Sequence, residues 1–357
     1  MKQQLEQLLR AAVREAGADP SGALVERTRD LRHGDFMSNV ALAAKPAGRD
    51  PRELALAIVA CLPPNSLISS ATVAGAGFIN FSLSAAAYQA ELARLHEQAH
   101  RYGQSDLGKG QRVRIQLVSS DPTEPPQLQQ ARLVAYGASL ANLLTATGFD
   151  IGGQHSDGDR ERLEVIPIEP VRLFRGSERL SSGEQEARYA TLEQLSREIG
   201  NDACRYCLVM RSHEQPLDFD LNLAELRTDK NPLFHIQYAH ARIASIMKQL
   251  AARGLTFDGT QALANATRLV GNLEQAVLHT LTRYPEVLEQ AAGSRSPHFV
   301  AHYLRELANT FHTYYNAEQF IVPEATLRNA RLALLLGVSQ VIRNGLTLLG
   351  VSSPESM

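Results

Sequence analysis

The chain predicts an α+β fold in three parts: an N-terminal α+β domain, a reduced α/β unit, and an all-α C-terminal helical bundle. Three patterns carry this. Helical stripes alternate with short strand runs over residues 1 to 105. One apolar strand (Val113, Ile115, Leu117) then enters a Pro-rich turn and a long Ala/Leu helix. From residue 196 onward the apolar positions recur almost entirely at helical spacing. The expected domains are 1–105, 106–195 and 196–357.

In the first part, Leu5, Leu8, Leu9, Ala12 and Val13 form one helical stripe, and Pro51 after Asp50 opens a second helix running to Cys61. Pro63-Pro64-Asn65-Ser66 ends it. Thr72-Val73 and Phe78-Ile79-Asn80-Phe81 predict strands around a Gly75–Gly77 turn, and a helix follows from Ser84 to His100. Residues Gly103 to Gly108 have linker composition. The middle part offers turn residues from Gly152 to Arg160 and short strands near Val165 and Val171–Leu173. That is too little chain for a doubly wound sheet with a substrate cleft, so a remnant acting as a spacer is expected. In the last part, Phe299, Tyr303, Leu307, Phe311 and Tyr314/Tyr315 mark one helix and Leu327 to Leu349 a closing one.

Composition narrows the function classes. At 44% hydrophobic residues the chain holds ample core material. No apolar run approaches the roughly 18 residues of a membrane span, so no membrane partner is expected. The first helix carries charges throughout and is not a secretory segment. Three cysteines are too few for a disulfide framework, and Cys204-x-x-Cys207 lies in a helical pattern with no partner pair for zinc. A reducing, cytoplasmic compartment is expected. His298 and His302 stand four apart but lack an accompanying HExxH glutamate, so no metal site is expected. A net charge of −2 neither requires nor excludes nucleic acid, and the cations are nearly all arginine.

The turn after the first α/β strand is the most informative stretch. It has the layout of a nucleotide-binding entry loop, yet it places Gln127, Leu128, Gln129 and Gln130 where phosphate-handling chemistry belongs. A glutamine amide carries no charge and shuttles no proton near neutral pH.

Residues Val118 to Arg132 resemble the first motif of class I aminoacyl-tRNA synthetases, arginyl-tRNA synthetase in particular. Val118, Ser119, Pro122, Thr123, Pro125 and Arg132 match that motif. Asp121 stands for its asparagine, Glu124 for a glycine, Gln127 and Gln130 for its two histidines, and Gln129 for its second glycine. The resemblance implies that the histidines would stabilise ATP phosphates and that the glycine would leave room for adenine. Both are lost here. Losing one such donor costs roughly two to three orders of magnitude in rate.

Further blocks agree in order along the chain. Gly34-Asp35-Phe36 and Gly75-x-Gly77-Phe78-Ile79-Asn80-Phe81 resemble the family's N-terminal additional domain. Thr191-Leu192, Asp202-Ala203-Cys204-Arg205, Met210-Arg211-Ser212 and Leu217-Asp218-Phe219-Asp220-Leu221 follow. Gln237-Tyr238-Ala239-His240-Ala241-Arg242-Ile243 resembles its DALR anticodon-binding domain, and Asn344 to Met357 its terminus. Most of the family's Rossmann catalytic domain has no counterpart between Phe149 and Val171. The segment Glu178 to Glu186, which stands for the Lys-Met-Ser-Lys loop, contains no lysine.

The resemblance implies a tRNA-binding protein unable to activate arginine, with no catalytic residue and no cofactor. ATP enters only if the chain is an arginine–tRNA ligase after all. A third possibility is a protein-interaction scaffold that has lost RNA binding. The implied partner is tRNA, tRNA-Arg above all and not DNA, together with a tRNA-modifying enzyme or a synthetase that receives it.

The implied contacts are Phe78 and Asn80 at the tRNA elbow, and His235, Tyr238, Arg242, Tyr315 and Met357 at the anticodon loop. Spacing alone places His235, Tyr238 and Arg242 on one helix face. It fits packing and solvated charge as well as base contact. Taken singly, Phe78 and Tyr315 also suit a core, Asn80 a ladder position and Met357 a free end.

Overall fold

The computed structural model describes residues 1–28, 30–44, 50–120, 126–151, 162–189 and 192–357. The Gly152–Arg160 turn, Thr191, His155 and the motif positions Asp121 to Pro125 lie outside the described residues, and of Gln127 only the backbone is described. Met1–Arg94 and Leu95–Met357 form two separate compact units.

In the first unit, α1 (Lys2–Glu15) buries Leu5, Leu9, Ala12 and Val13, the stripe expected from their spacing. Strands β1 (Glu26–Arg27) and β2 (Phe36–Ser38) lead into α2 (Val40–Ala43) and α3 (Pro51–Ala60). Asp50 caps α3 by accepting from the Arg52 backbone N–H, with Pro51 at its first position. The hairpin β3 (Ile68–Ala74) and β4 (Phe78–Leu83) completes an antiparallel sheet of order β1-β2-β4-β3.

Period-two alternation along β4 decides which side chains are core. Ile79, Phe81 and Leu83 point inward, while Phe78 and Asn80 share the outer face. The Gly34-Asp35-Phe36 block is structural. Asp35 accepts from the Leu83 N–H at 2.6 Å and from the Tyr88 hydroxyl. Gly34 adopts φ +83°, and a Cβ there would stand 2.6 Å from the Phe81 carbonyl oxygen.

Helix α4 (Ala85–Gln98) carries the chain into the second unit. There β5 (Val113–Ser119), α5 (Pro126–Ala146) and β6 (Arg162–Ile168) form a βαβ unit, with β5 and β6 parallel from Val113↔Arg162 to Ser119↔Ile168. Next come β7 (Val171–Arg175), β8 (Glu178–Arg179), α6 (Ser182–Arg188), α7 (Leu192–Ile199), α8 (Asn201–Val209), β9 (Leu217–Asp220) and α9 (Leu221–Glu225). Strand β7 pairs antiparallel with β8 and parallel with β9.

Residue 195 is therefore not a break in packing. Leu217-Asp218-Phe219-Asp220, beyond that expected boundary, is a strand that returns to the α/β remnant. The rest is helical: α10 (Pro232–Ala252), α11 (Gly259–Ala264), α12 (Asn272–Leu281), α13 (Tyr284–Gly293), α14 (His298–Ala317) and α15 (Ala325–Leu348). Aromatic and aliphatic residues of α14 (Tyr303, Leu304, Leu307, Phe311, Tyr314) are buried among them.

Cys204 and Cys207 are packing residues of α8, with burial pushing their thiols up to about 11 and about 12. Among the described residues no helix is long and apolar enough to cross a membrane, and no group of three His, Cys, Asp or Glu side chains is placed to hold a metal ion.

Candidate nucleic-acid interface

The carboxyl ends of parallel strands are where α/β folds take ligands. Here Gln129 packs against one of those ends. Gln129, only 4% exposed, donates its side-chain amide to the Ile168 carbonyl at the end of β6, 2.7 Å away. The Ser120 N–H donates to the same carbonyl. One turn on, the fully buried Arg132 donates to the carbonyls of Glu169, Ser212 (2.9 Å) and Gln215 (3.1 Å). Burial lowers its guanidinium to about 10. Gln130 faces outward and is exposed.

The segment that stands for the lysine loop is spent on a helix cap. Ser181 and Glu184 form a reciprocal capping box at the start of α6, the Ser181 hydroxyl bond holding the Glu184 carboxyl below its usual range.

The helical bundle presents different chemistry. Asn231 caps α10 by accepting from the Leu233 and Phe234 N–H groups, with Pro232 at its first position. This fixes the first turns, and one face of α10 then turns Phe234, His235, Tyr238 and Arg242 toward a cavity of about 460 Å³ shared with His312 and Asn316. The rings form a ladder. Phe234 stacks on Tyr238 at 5.6 Å, and the Arg242 guanidinium lies 4.4 Å from the Tyr238 ring centre and 4.5 Å from that of Tyr315. Arg242 is thus sandwiched between two tyrosines from different helices. Such contacts contribute about 0.5–2 kcal/mol each, depending on desolvation.

A histidine pair closes the floor, with ring centres 4.3 Å apart for His235 and His312. His312 Nε2 lies 3.0 Å from the His235 carbonyl, so that nitrogen carries the proton. Nδ1 then accepts from Arg242 at 3.2 Å. Burial, with the nearby His235 and Arg242 charges, lowers His312 to about 4. Burial likewise lowers His235 and His240, and takes His298 to about 4.

The neutral forms belong to the folded state, so the unfolded chain binds protons first as the medium acidifies. Stability is fully present above the ordinary histidine value near 6.5 and is lost as pH falls toward about 4. Urea titrations of the wild-type and His312→Asn proteins across that window should show a shallower acid slope in the variant; identical slopes would contradict the assignment.

The run Gln237 to Ile243 divides by helix face. Gln237 donates to Ser352 O and to Asp202 Oδ2, both at 3.0 Å, and His240 Nδ1 lies 2.9 Å from Pro354 O. These side chains pin the C-terminal segment. That anchoring, rather than a free end, sets Met357, 53% exposed, on the rim of a second cavity of about 850 Å³ that shares Phe234 and Arg227 with the first.

His235, Tyr238 and Arg242 therefore come together as their spacing implied, and Tyr315 joins them from α14. Phe78 (36% exposed) and Asn80 lie in the other unit, on the outer face of β4. Phe234, Arg227, His312 and Asn316 were not foreseen. The four-residue step from Phe234 to Tyr238 was a usable signal, whereas His312 reaches the site only by tertiary packing.

Comparison with known proteins bears directly on this arrangement. Residues 3–83 match the arginyl tRNA synthetase N terminal domain, and 236–357 match the DALR anticodon binding domain. The arginine–tRNA ligase of Thioalkalivibrio sulfidiphilus is 30% identical over 586 residues, covering all of both chains. The chain belongs to the arginyl-tRNA synthetase family. The arginine–tRNA ligase of Coxiella burnetii is 28% identical over 588 residues, again end to end.

These alignments exceed the 357 residues of the chain, so they contain long gaps in this family member. The Thermus thermophilus arginyl-tRNA synthetase shares the fold, with a TM-score of 0.70 at 16% identity and full coverage of both chains.

Proposed function

We propose that this member of the arginyl-tRNA synthetase family binds tRNA without activating arginine, and that it holds tRNA-Arg for a second enzyme that modifies or charges it. One observation carries the first half. Gln129, at the position of the motif glycine, lies buried against the carbonyl that ends β6, which supports the reading that a side chain takes up the room the glycine would leave for adenine. With Gln127 and Gln130 at the motif histidine positions and no lysine from Glu178 to Glu186, those positions supply no charged donor to developing phosphate charge.

The binding half rests on the DALR-type bundle and its half-buried ladder of rings. Aromatic faces interleaved with a guanidinium suit unstacked bases, each worth about 1–3 kcal/mol. The proposed contacts there are His235, Tyr238, Tyr315 and Met357, with Arg242 holding the two tyrosines in place. Phe78 and Asn80 are proposed to meet the tRNA elbow. The middle remnant serves as a spacer, and no cofactor is needed.

The names of these relatives favour the alternative that the chain is itself a ligase using ATP. Filter binding tests the proposal. Purified protein should retain tRNA-Arg in moderate salt at least several-fold better than other tRNAs. Equal retention of all tRNAs would count against it.

A further inference from the structure

We propose that the bundle holds a second single-stranded nucleotide subsite beyond Tyr315, a site that rests on the tRNA-binding reading above and extends it. A separate cavity of about 320 Å³ lies there, lined by Ile246, Gln249, Arg253, Tyr315, Phe320 and Ile321 among others. Its contents match one nucleotide in kind. Tyr315 offers a half-buried aromatic ring, backed by the buried Phe320 with ring centres 5.9 Å apart. Gln249 is an exposed amide with both donor and acceptor capacity, and Arg253 is an exposed guanidinium at the end of α10. The acidic side chain on the wall, Glu318, is paired with Arg331 at 3.0 Å, which offsets its charge toward a phosphate.

Continuity favours RNA as the occupant. Tyr315 belongs to this cavity and also covers Arg242, which lines the first. The order Phe234, Tyr238, Arg242, Tyr315, Phe320 is therefore a continuous row of rings around one cation, with neighbours 5.6, 4.4, 4.5 and 5.9 Å apart and the last pair tilted rather than stacked. A strand whose unstacked base sits at Tyr238 can continue along α10 and place a further nucleotide at Tyr315, with its phosphate at Arg253. A sequence-tolerant grip of this kind combines a base platform with a backbone cation.

The test compares Arg253→Glu, Arg253→Lys and Tyr238→Ala in tRNA binding over a range of salt concentrations. Arg253→Glu should weaken binding about five- to tenfold and lower the slope of log affinity against log salt by about one, while Arg253→Lys stays near wild type. Arg253 is exposed, so folding should survive, and circular dichroism checks that. Unchanged affinity in Arg253→Glu with clear loss in Tyr238→Ala would overturn the subsite and leave the tRNA reading intact. No loss in either variant would overturn both.

Discussion

Replacing Tyr238 and Arg242 together with alanine will lower tRNA affinity by about one to two orders of magnitude while the bundle stays folded. The size follows from the loss of one or two base-stacking platforms at about 1–3 kcal/mol each. Arg242 alone should account for much of it. Its guanidinium lies against both Tyr238 and Tyr315 and donates to His312, so Arg242→Ala releases two rings at once. The single and double variants should therefore be far from additive. Arg242→Lys should not rescue, because a point-like ammonium lacks the planar faces that fill the gap between two rings. Filter binding of the three variants decides this. Additive losses, with lysine restoring affinity, would mean that Arg242 contacts phosphate rather than positioning the tyrosines.

The second large effect lies away from RNA. Arg132→Ala should destabilise the second unit by about 3–5 kcal/mol, the usual cost of breaking a buried charged network. Its guanidinium is fully buried and serves carbonyls of Glu169, Ser212 and Gln215, so removal opens a cavity and takes a donor from all three, Ser212 alone keeping the Gln215 N–H. Arg132→Lys should fare little better, since one ammonium cannot reach the same fork. Urea unfolding, with hydrogen exchange along 212–217, reads the loss. A change below about 1 kcal/mol would show the network to be dispensable. Arg132 matches the synthetase motif, yet in this fold its work is joining α5 to the chain that precedes β9.

The fold was largely legible because its periodicities are strong. The Leu5/Leu9/Ala12/Val13 stripe, the Phe78–Phe81 alternation and the long closing helix stand where local pattern placed them. Strand β9 escaped because Leu217 to Asp220 is too short to announce itself amid helices, and only its pairing with β7 makes it a strand. For the site, spacing put His235, Tyr238 and Arg242 on one face, a pattern that by itself favours packing and solvated charge over base contact. The rest of the arrangement is tertiary: Tyr315 and His312 arrive from α14, about seventy residues on from Arg242. The capping box is legible within Glu178 to Glu186 as a serine three residues before a glutamate, Ser181 and Glu184. The burial of Gln129 has no sequence signature, because a glutamine at a helix start is ordinarily solvated.

Arginine-dependent ATP–pyrophosphate exchange, run with tRNA-Arg present on protein free of contaminating synthetase, is the most direct measurement. The expected result is no exchange above background from a preparation that retains tRNA-Arg on a filter. Exchange that rises with enzyme concentration and requires both arginine and tRNA would contradict it, showing that the crevice beside Gln129 admits a nucleotide.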